Sequence, residues 1–246
     1  MLTRETRLAR AALLLTPRQM DALQQAHILL FGLGGVGGYA AEALARAGVG
    51  RLTLIDGDTV SPTNLNRQLA ALSGTIGQSK ADVMTARLRE AAPDCVIEGI
   101  CAFHLPQSPV PIPEDCSFVL DAVDTLAAKL HLAQVCQERG VPLVSCMGMG
   151  NRLDPTRIRI GDIFETSGCP LCRDMRKELR KRHIDSLCCV YSTEPARAPL
   201  PSGTQPPETK ASGRPTPGSV SFVPSVAGLY MAYEAVRQIC GLETGL

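Results

Sequence analysis

Short unbroken apolar runs alternate along this chain with longer stretches of helical spacing. His27-Ile-Leu-Leu-Phe31 is such a run, closed by glycines, and it reads as a strand buried on both faces. Arg51–Ile55, Cys95–Ile100, Ser117–Leu120 and Val141–Cys146 read the same way. Between them the spacing predicts helices. Thr16 as N-cap, Pro17 at the first helical position and Gln19 three residues after the cap open one that ends near Gln25. Others run from Val36 to Ala47, from Ser79 to Ala92 ahead of Pro93, and from Thr125 to Gly140. This alternation from His27 to Cys146 predicts an α/β fold with a Rossmann-like, doubly wound, mostly parallel sheet.

Beyond Cys146 the rhythm changes. Arg157–Ile163 and Leu187–Thr193 read as strands around a basic helix, Pro170–Arg182. Strands in close succession predict an antiparallel C-terminal extension of the sheet. Residues 195–218 are dense in Pro, Ser, Thr and Gly and nearly free of large apolar side chains, the composition of a mobile surface loop. A helix from Pro224 to Ile239 closes the chain, and residues 1–246 are expected to form a single domain.

Composition narrows the partners. The 246 residues are 45% hydrophobic and 20% charged, enough for a sizeable core. With 25 Lys and Arg against 24 Asp and Glu, the net charge of +1 excludes a polycation, so nucleic acid must be met by a local patch. Charges at Arg4, Glu5, Arg7 and Arg10 break any signal peptide, and no apolar run reaches the ~18 residues of a membrane span. Ten cysteines without a disulfide-like ladder point to free thiols in a reducing cytoplasm.

Gly32-Leu-Gly34-Gly35-Val-Gly37 follows the first strand and opens a helix. Glycines there let the backbone turn tightly and approach phosphate, with helix N–H groups turned to the anion. Asp56 ends the next strand ~20 residues on, where an acid takes ribose hydroxyls. A nicotinamide enzyme, or a tight turn without ligand, would satisfy this much. Behind Asp56 and Asp58, however, come Asn64-Leu-Asn-Arg67-Gln68 and Gly77-Gln-Ser-Lys80. A nucleoside triphosphate, with about four negative charges, accounts for an Arg fork and a Lys point charge; a dinucleotide does not. Asp121 and Asp124, three apart at a later strand end, form a candidate Mg²⁺ pair, although Asp124 also suits a helix cap.

These motifs together resemble the ubiquitin-activating superfamily. Asp154–Ile163, Cys169-Pro-Leu171, Met175–Arg182, Val190–Pro195 and Gly218–Pro224 are similar to its tRNA threonylcarbamoyladenosine dehydratase branch. The resemblance covers nearly the whole chain. It implies that Gly32, Gly34, Gly35 and Gly37 line ATP, Asp56 holds the ribose with Asp58 nearby, and Asn64, Arg67, Gln68 and Lys80 meet the phosphates. It also implies Mg²⁺ on Asp124 with Asp121 beside it, leaves room for a monovalent cation, and makes Arg67, Lys80 and Asp124 the catalytic set. The implied reaction adenylates the threonyl carboxylate of the modified nucleoside; a neighbouring group then closes a ring and expels AMP. A homodimer is implied, with Arg7 as the candidate arginine lent by a partner, and a sulfur-transfer partner protein is admitted.

Two alternatives remain at this point. One is an adenylyltransferase for a ubiquitin-like sulfur carrier, whose relatives carry two CxxC pairs. Here Cys169-Pro-Leu-Cys172 stands alone and Cys188 and Cys189 are adjacent, so no structural zinc is expected. The other is a nicotinamide oxidoreductase, which leaves Arg67 and Lys80 unexplained. Arg173, Arg176, Lys177, Arg180 and Lys181 fall on one face of the basic helix, a candidate tRNA phosphate track or a plain solvated surface. Cys146 and Cys169 flank the site loops as candidate nucleophiles, with small buried hydrophobes as the preferred reading.

Overall fold

The computed structural model describes residues 3–200 and 217–243. Seven strands form one sheet: β1 His27–Phe31, β2 Arg51–Ile55, β3 Val96–Ile100, β4 Phe118–Asp121, β5 Leu143–Cys146, β6 Ile158–Asp162 and β7 Cys188–Ser192. Their order is β3-β2-β1-β4-β5-β7-β6. The helices are α1 Arg4–Leu8, α2 Pro17–Gln25, α3 Gly37–Ala47, α4 Lys80–Ala91, α5 Leu126–Arg139, α6 Pro170–Lys181 and α7 Phe222–Cys240. The predicted doubly wound sheet is present, and the expected capping box of α2 forms through Thr16 and Gln19.

The antiparallel extension is narrower than expected. β7 pairs parallel with β5, through Ser145↔Cys189 and Cys146↔Val190, and only β6 runs antiparallel, against β7. The cause is the reversed β6: it is traversed against the other strands, and β7 starts at the end where β6 finishes and inserts between β5 and β6, so β7 enters in the sense of the other strands. No long helix separates β5 from β6, and the chain reverses instead through Asn151 at φ 60°. The proline-rich segment expected at 195–218 falls largely on residues 201–216, outside those described.

Burial follows the pattern of the sequence. Every residue of β1 and β4 is buried, because helices cover both faces. α2, α3, α4 and α7 pack one face around Leu30, Leu44, Leu54 and Met84; α5 and α6 pack the other around Phe31, Leu132, Met175 and Leu179. Among the described residues no helix is long and apolar enough to cross a membrane.

The consequence for chemistry is positional. From β1 the chain winds outward through β2 to β3, then crosses back to β4 on the other side of β1. The carboxyl ends of β1 and β4 therefore open a crevice where the winding reverses, the place where open α/β sheets bind ligands.

Candidate active site

The glycine loop leaves β1 through Gly32 at φ +89°. A Cβ on Gly32 would lie 2.7 Å from the Ala122 carbonyl oxygen, just beyond β4, and one on Gly37 would lie 1.8 Å from the Gly32 carbonyl oxygen. Both positions need glycine, and the loop is pressed against the neighbouring strand end. Gly37 begins α3, so the loop sits at that helix's positive end. Gly34 and Gly35 face the 64–68 turn: hypothetical Cβ atoms there would lie 3.7 Å from Gln68 Nε2 and 3.4 Å from Arg67 Cγ.

Asp56 lies just past β2 and is 8% exposed. One carboxylate oxygen accepts the Leu33 N–H at 2.6 Å and the other accepts the Asp58 N–H at 2.8 Å. Each oxygen retains a lone pair for a further donor, such as a ribose hydroxyl. Burial pushes its pKa up, and the Lys80 ammonium works against that rise. Lys80 in turn pairs with Asp58 at 2.8 Å with its own side chain nearly buried. Ser79 starts α4 by accepting the Asp82 N–H at 3.2 Å, and so sets Lys80 in the first turn. Leu33, Asp56, Asp58 and Lys80 are one connected chain from the glycine loop to a cation.

Asn64 shapes the next turn. Its Oδ1 accepts the Ser61 N–H at 3.1 Å, and its carbonyl accepts the N–H groups of Arg67 and Gln68. The Arg67 guanidinium donates to the Thr63 carbonyl and to Asn66 Oδ1, both at 2.8 Å. It makes no ion pair among the described residues, and burial pulls its pKa down. A half-buried cation held by neutral oxygens beside a glycine loop is a site short of an anion. Gln68 Oε1, buried against the same loop, has no hydrogen-bond partner among the described residues.

Two expectations are corrected. Asp121 is fully buried and does not share an opening with Asp124. Its Oδ2 accepts from Lys129 Nζ at 3.0 Å and from the Ser145 hydroxyl at 2.5 Å, while Oδ1 accepts the Val123 N–H at 3.1 Å. It is a structural anion that shapes the Ala122–Asp124 turn, rather than a metal ligand. Arg7 is spent within its own chain. Its guanidinium grips Asp94 at 2.7 and 2.8 Å and donates to the Ala45 carbonyl at 3.0 Å, at the end of α3 remote from the glycine loop. Asp124 stands exposed in the turn after β4, its Oδ1 accepting from the Thr125 hydroxyl at 3.4 Å. Among the described residues no three His, Cys, Asp or Glu gather to hold a metal.

Sequence reasoning missed Lys129, although a lone Lys among Leu126, Ala128, Leu130 and Leu132 is a signal. It also missed Arg152, which is 4% exposed and donates to the Glu194 carbonyl at 3.0 Å, tying the loop after β5 to the end of β7. The segment entering α7 crosses the same end of the sheet. Asn66 Nδ2 donates to the Ser219 carbonyl at 2.9 Å, and Asn151 exchanges two 2.7 Å bonds with Gly218.

The basic stripe of α6 is partly consumed. Arg176 turns inward to the Thr166 carbonyl at 2.9 Å, and Arg180 stacks on Phe164 at 5.3 Å. Lys181 pairs with Glu178 at 2.6 Å. Arg173 and Lys177 face solvent. Cys146 is buried, and burial pushes its pKa up to about 12, which fits the inert reading.

The ThiF family matches residues 7–245 of the chain. The tRNA threonylcarbamoyladenosine dehydratase of Bacillus subtilis is 38% identical over 226 residues, 89% of each chain. The crystal structure of the Escherichia coli tRNA N6-threonylcarbamoyladenosine dehydratase in complex with ATP superimposes with a TM-score of 0.84 at 31% identity, covering 98% of this chain and 97% of that one. Similarity to the molybdopterin-synthase adenylyltransferase of Salmonella typhimurium, 38% identity, extends over only 51% of this chain and 50% of that protein.

Proposed function

This chain belongs to the ThiF family, and from that premise we propose that it is an ATP-dependent tRNA threonylcarbamoyladenosine dehydratase. It adenylates the threonyl carboxylate of the modified nucleoside and cyclises it, releasing AMP. The observation that carries the reading is Arg67: a guanidinium beside a glycine loop, held among the described residues by a carbonyl and an amide oxygen. The carrier-protein reading is supported by a relative similar over only half of the chain.

In this reading the triphosphate lies along Gly32–Gly37 at the start of α3, and Asp56 accepts from the ribose. Arg67 and Lys80 neutralise the phosphates; Lys80 arrives with Asp58 as its resting partner, so its charge costs little to hold until ATP competes for it. Asn64 holds the turn carrying Arg67 and keeps its amide N–H groups for a phosphate oxygen. Gln68 Oε1 awaits a donor. Asp124 is the acid that would hold Mg²⁺, an ion that keeps water and phosphate oxygens as most of its ligands and so does not need a protein cage. Bound there, the ion would withdraw charge from the phosphates.

A carboxylate expels nothing useful until it becomes a mixed anhydride. Its oxygen attacks the α-phosphorus and pyrophosphate leaves; the neighbouring group of the same side chain then attacks the acyl carbon and AMP leaves. Alignment of the two reactants and charge neutralisation supply the acceleration. Arg173, Lys177, Arg180 and Lys181 are the cations offered to tRNA phosphates. The whole chain acts as one adenylation domain in the cytoplasm. It works as a homodimer that covers side chains now in solvent, such as Leu13 at 78% and Leu14 at 87% exposure. A monovalent cation and a sulfur-transfer partner belong to this reading as secondary expectations.

The test is incubation with ATP, Mg²⁺ and tRNA carrying threonylcarbamoyladenosine, followed by nucleoside mass analysis. One water should be lost per AMP released. AMP formation that needs a small carrier protein and leaves the tRNA mass unchanged would shift the assignment to the adenylyltransferase.

A further inference from the structure

Cys169 and Cys172 occupy the N-cap and the third residue of α6, three apart on its opening turn, so both thiols lie on one side of the helix start. Both are at most 4% exposed. A hypothetical Cβ on Gly148, in the loop after β5, would stand 4.0 Å from the Cys169 sulfur and 4.0 Å from Arg152 Nη1. Sulfur and guanidinium thus share one glycine. Arg152 is itself 4% exposed, and its Nη2 is buried with no hydrogen-bond partner among the described residues. Arg152 Nη1 donates to the Gly148 and Gly150 carbonyls, which holds the guanidinium charge beside the glycine that the sulfur also meets, and a buried cation next to a thiol is the setting of a thiolate rather than of a buried hydrophobe.

The surroundings of Cys169 agree. The Cys172 thiol holds its pKa well below the ordinary thiol range, aided by the N–H groups of Cys172 and Gly148 and the charge of Arg152, and opposed by burial. Cys172 is pushed the other way, by the same contact and by burial. One sulfur is favoured as thiolate and its neighbour as thiol. Cys95, Cys136, Cys146, Cys188 and Cys189 are all raised by burial. Access is short: Ser167, Gly168 and Pro170 are exposed, and Gly168 adopts φ +76°. A local opening of one turn of loop uncovers the Cys169 sulfur, a low-cost event at a loop–helix junction.

We propose that Cys169 and Cys172 form a reversible thiol-modification site, with Cys169 as attacking thiolate, Cys172 as resolving thiol, and a low-molecular-weight disulfide as the reagent. The Cys169 thiolate attacks one sulfur of the reagent. The reagent's S–S bond breaks, a mixed disulfide forms on Cys169, and the first reagent thiolate leaves. Cys172 then gives up its proton, attacks the Cys169 sulfur and expels the second reagent thiolate; that proton stays with a reagent thiolate. The two cysteines are oxidised by two electrons to one disulfide, and the reagent is reduced by two electrons to one thiol and one thiolate.

The full chain is treated with oxidised glutathione, digested and mapped by mass, with the exposed Cys101 as internal reference. A 169–172 disulfide is expected in the native protein, reversed by dithiothreitol, and a stable mixed disulfide on Cys169 is expected in Cys172→Ser. Because that variant places a hydroxyl where a buried thiol was, a second measurement uses the unaltered chain: the iodoacetamide alkylation rate of each cysteine against pH. Cys169 should reach half its maximal rate below neutrality. Modification of Cys101 while 169 and 172 stay unlinked, or a Cys169 profile that follows Cys101, overturns the proposal.

Discussion

Replacing Lys129 with Met should destabilise the chain severely, by a mechanism visible in the pH dependence. Lys129 and Asp121 each have fully buried side chains, and Lys129 Nζ donates to Asp121 Oδ2 at 3.0 Å and to the Cys146 carbonyl at 2.7 Å. Met fills the volume of the alkyl stem but supplies no donor. A buried ion pair broken from one side costs about 3–5 kcal/mol, because the remaining charge is stranded. A ceiling applies. A stranded carboxylate can escape by binding a proton, and for a carboxyl of reference pKa ~3.9 this costs about 4 kcal/mol at pH 7. Against a total stability of roughly 5–15 kcal/mol, the variant should be marginal at neutral pH. If protonation is the escape, the deficit should shrink by about 1.4 kcal/mol for each pH unit of acidification toward the carboxyl range. Urea unfolding of wild type and Lys129→Met at several pH values measures this. The double variant Asp121→Asn, Lys129→Met should recover part of the loss, since neither charge remains. A deficit under 1 kcal/mol, or one independent of pH, refutes the argument that an unpaired buried carboxylate sets the cost.

Three further outcomes follow from the same geometry. Arg67→Ala should weaken ATP binding about 10- to 100-fold, the worth of one or two charge-assisted hydrogen bonds, and Arg67→Lys should restore only part of it; calorimetric titration reads both. Arg7, with Arg4 beside it, holds the Asp94 carboxyl below the usual carboxylate range, so the stability from this pair is present at neutral pH and lost as pH falls through the lowered value. Accordingly Asp94→Asn should lower the urea stability by about 0.5–1 kcal/mol at pH 7, the pair being discounted for its exposure to solvent, with the gap to wild type closing only in strong acid. Neutralising Arg173 and Lys177 to Gln should weaken tRNA binding and flatten its salt dependence at unchanged thermal stability, whereas Arg176→Gln should cost stability, because that guanidinium is bonded to Thr166.

Much of this was legible in the residues, for physical reasons. Strands buried on both faces are continuous apolar runs, and β1 and β4 are so enclosed that their sequences admit little else. The glycine loop was legible because Gly32 and Gly37 lie where any Cβ meets backbone, which makes glycine obligatory. Direction in the sheet was not legible for β7: its five residues look the same entering parallel or antiparallel, and only its insertion between β5 and the reversed β6 decides. Nor could spacing separate the roles of Asp121 and Asp124. The three-residue interval suggested shared ligation, yet one carboxylate turns into the sheet toward Lys129, eight residues on and in the first turn of α5, and the other stays outside. Arg7 was misplaced for a similar reason, since its partner Asp94 lies 87 positions away. The stripe on α6 had the right period, but period does not say which guanidinium finds a carbonyl on its own chain.

The proposed chemistry turns a carboxylate into its adenylate at the glycine-loop site, and oxygen-18 placed in the threonyl carboxylate of the tRNA nucleoside follows that step. After one turnover with ATP one labelled oxygen is expected in the phosphate of AMP. Label found in inorganic phosphate alongside ADP, or AMP free of label, would contradict it.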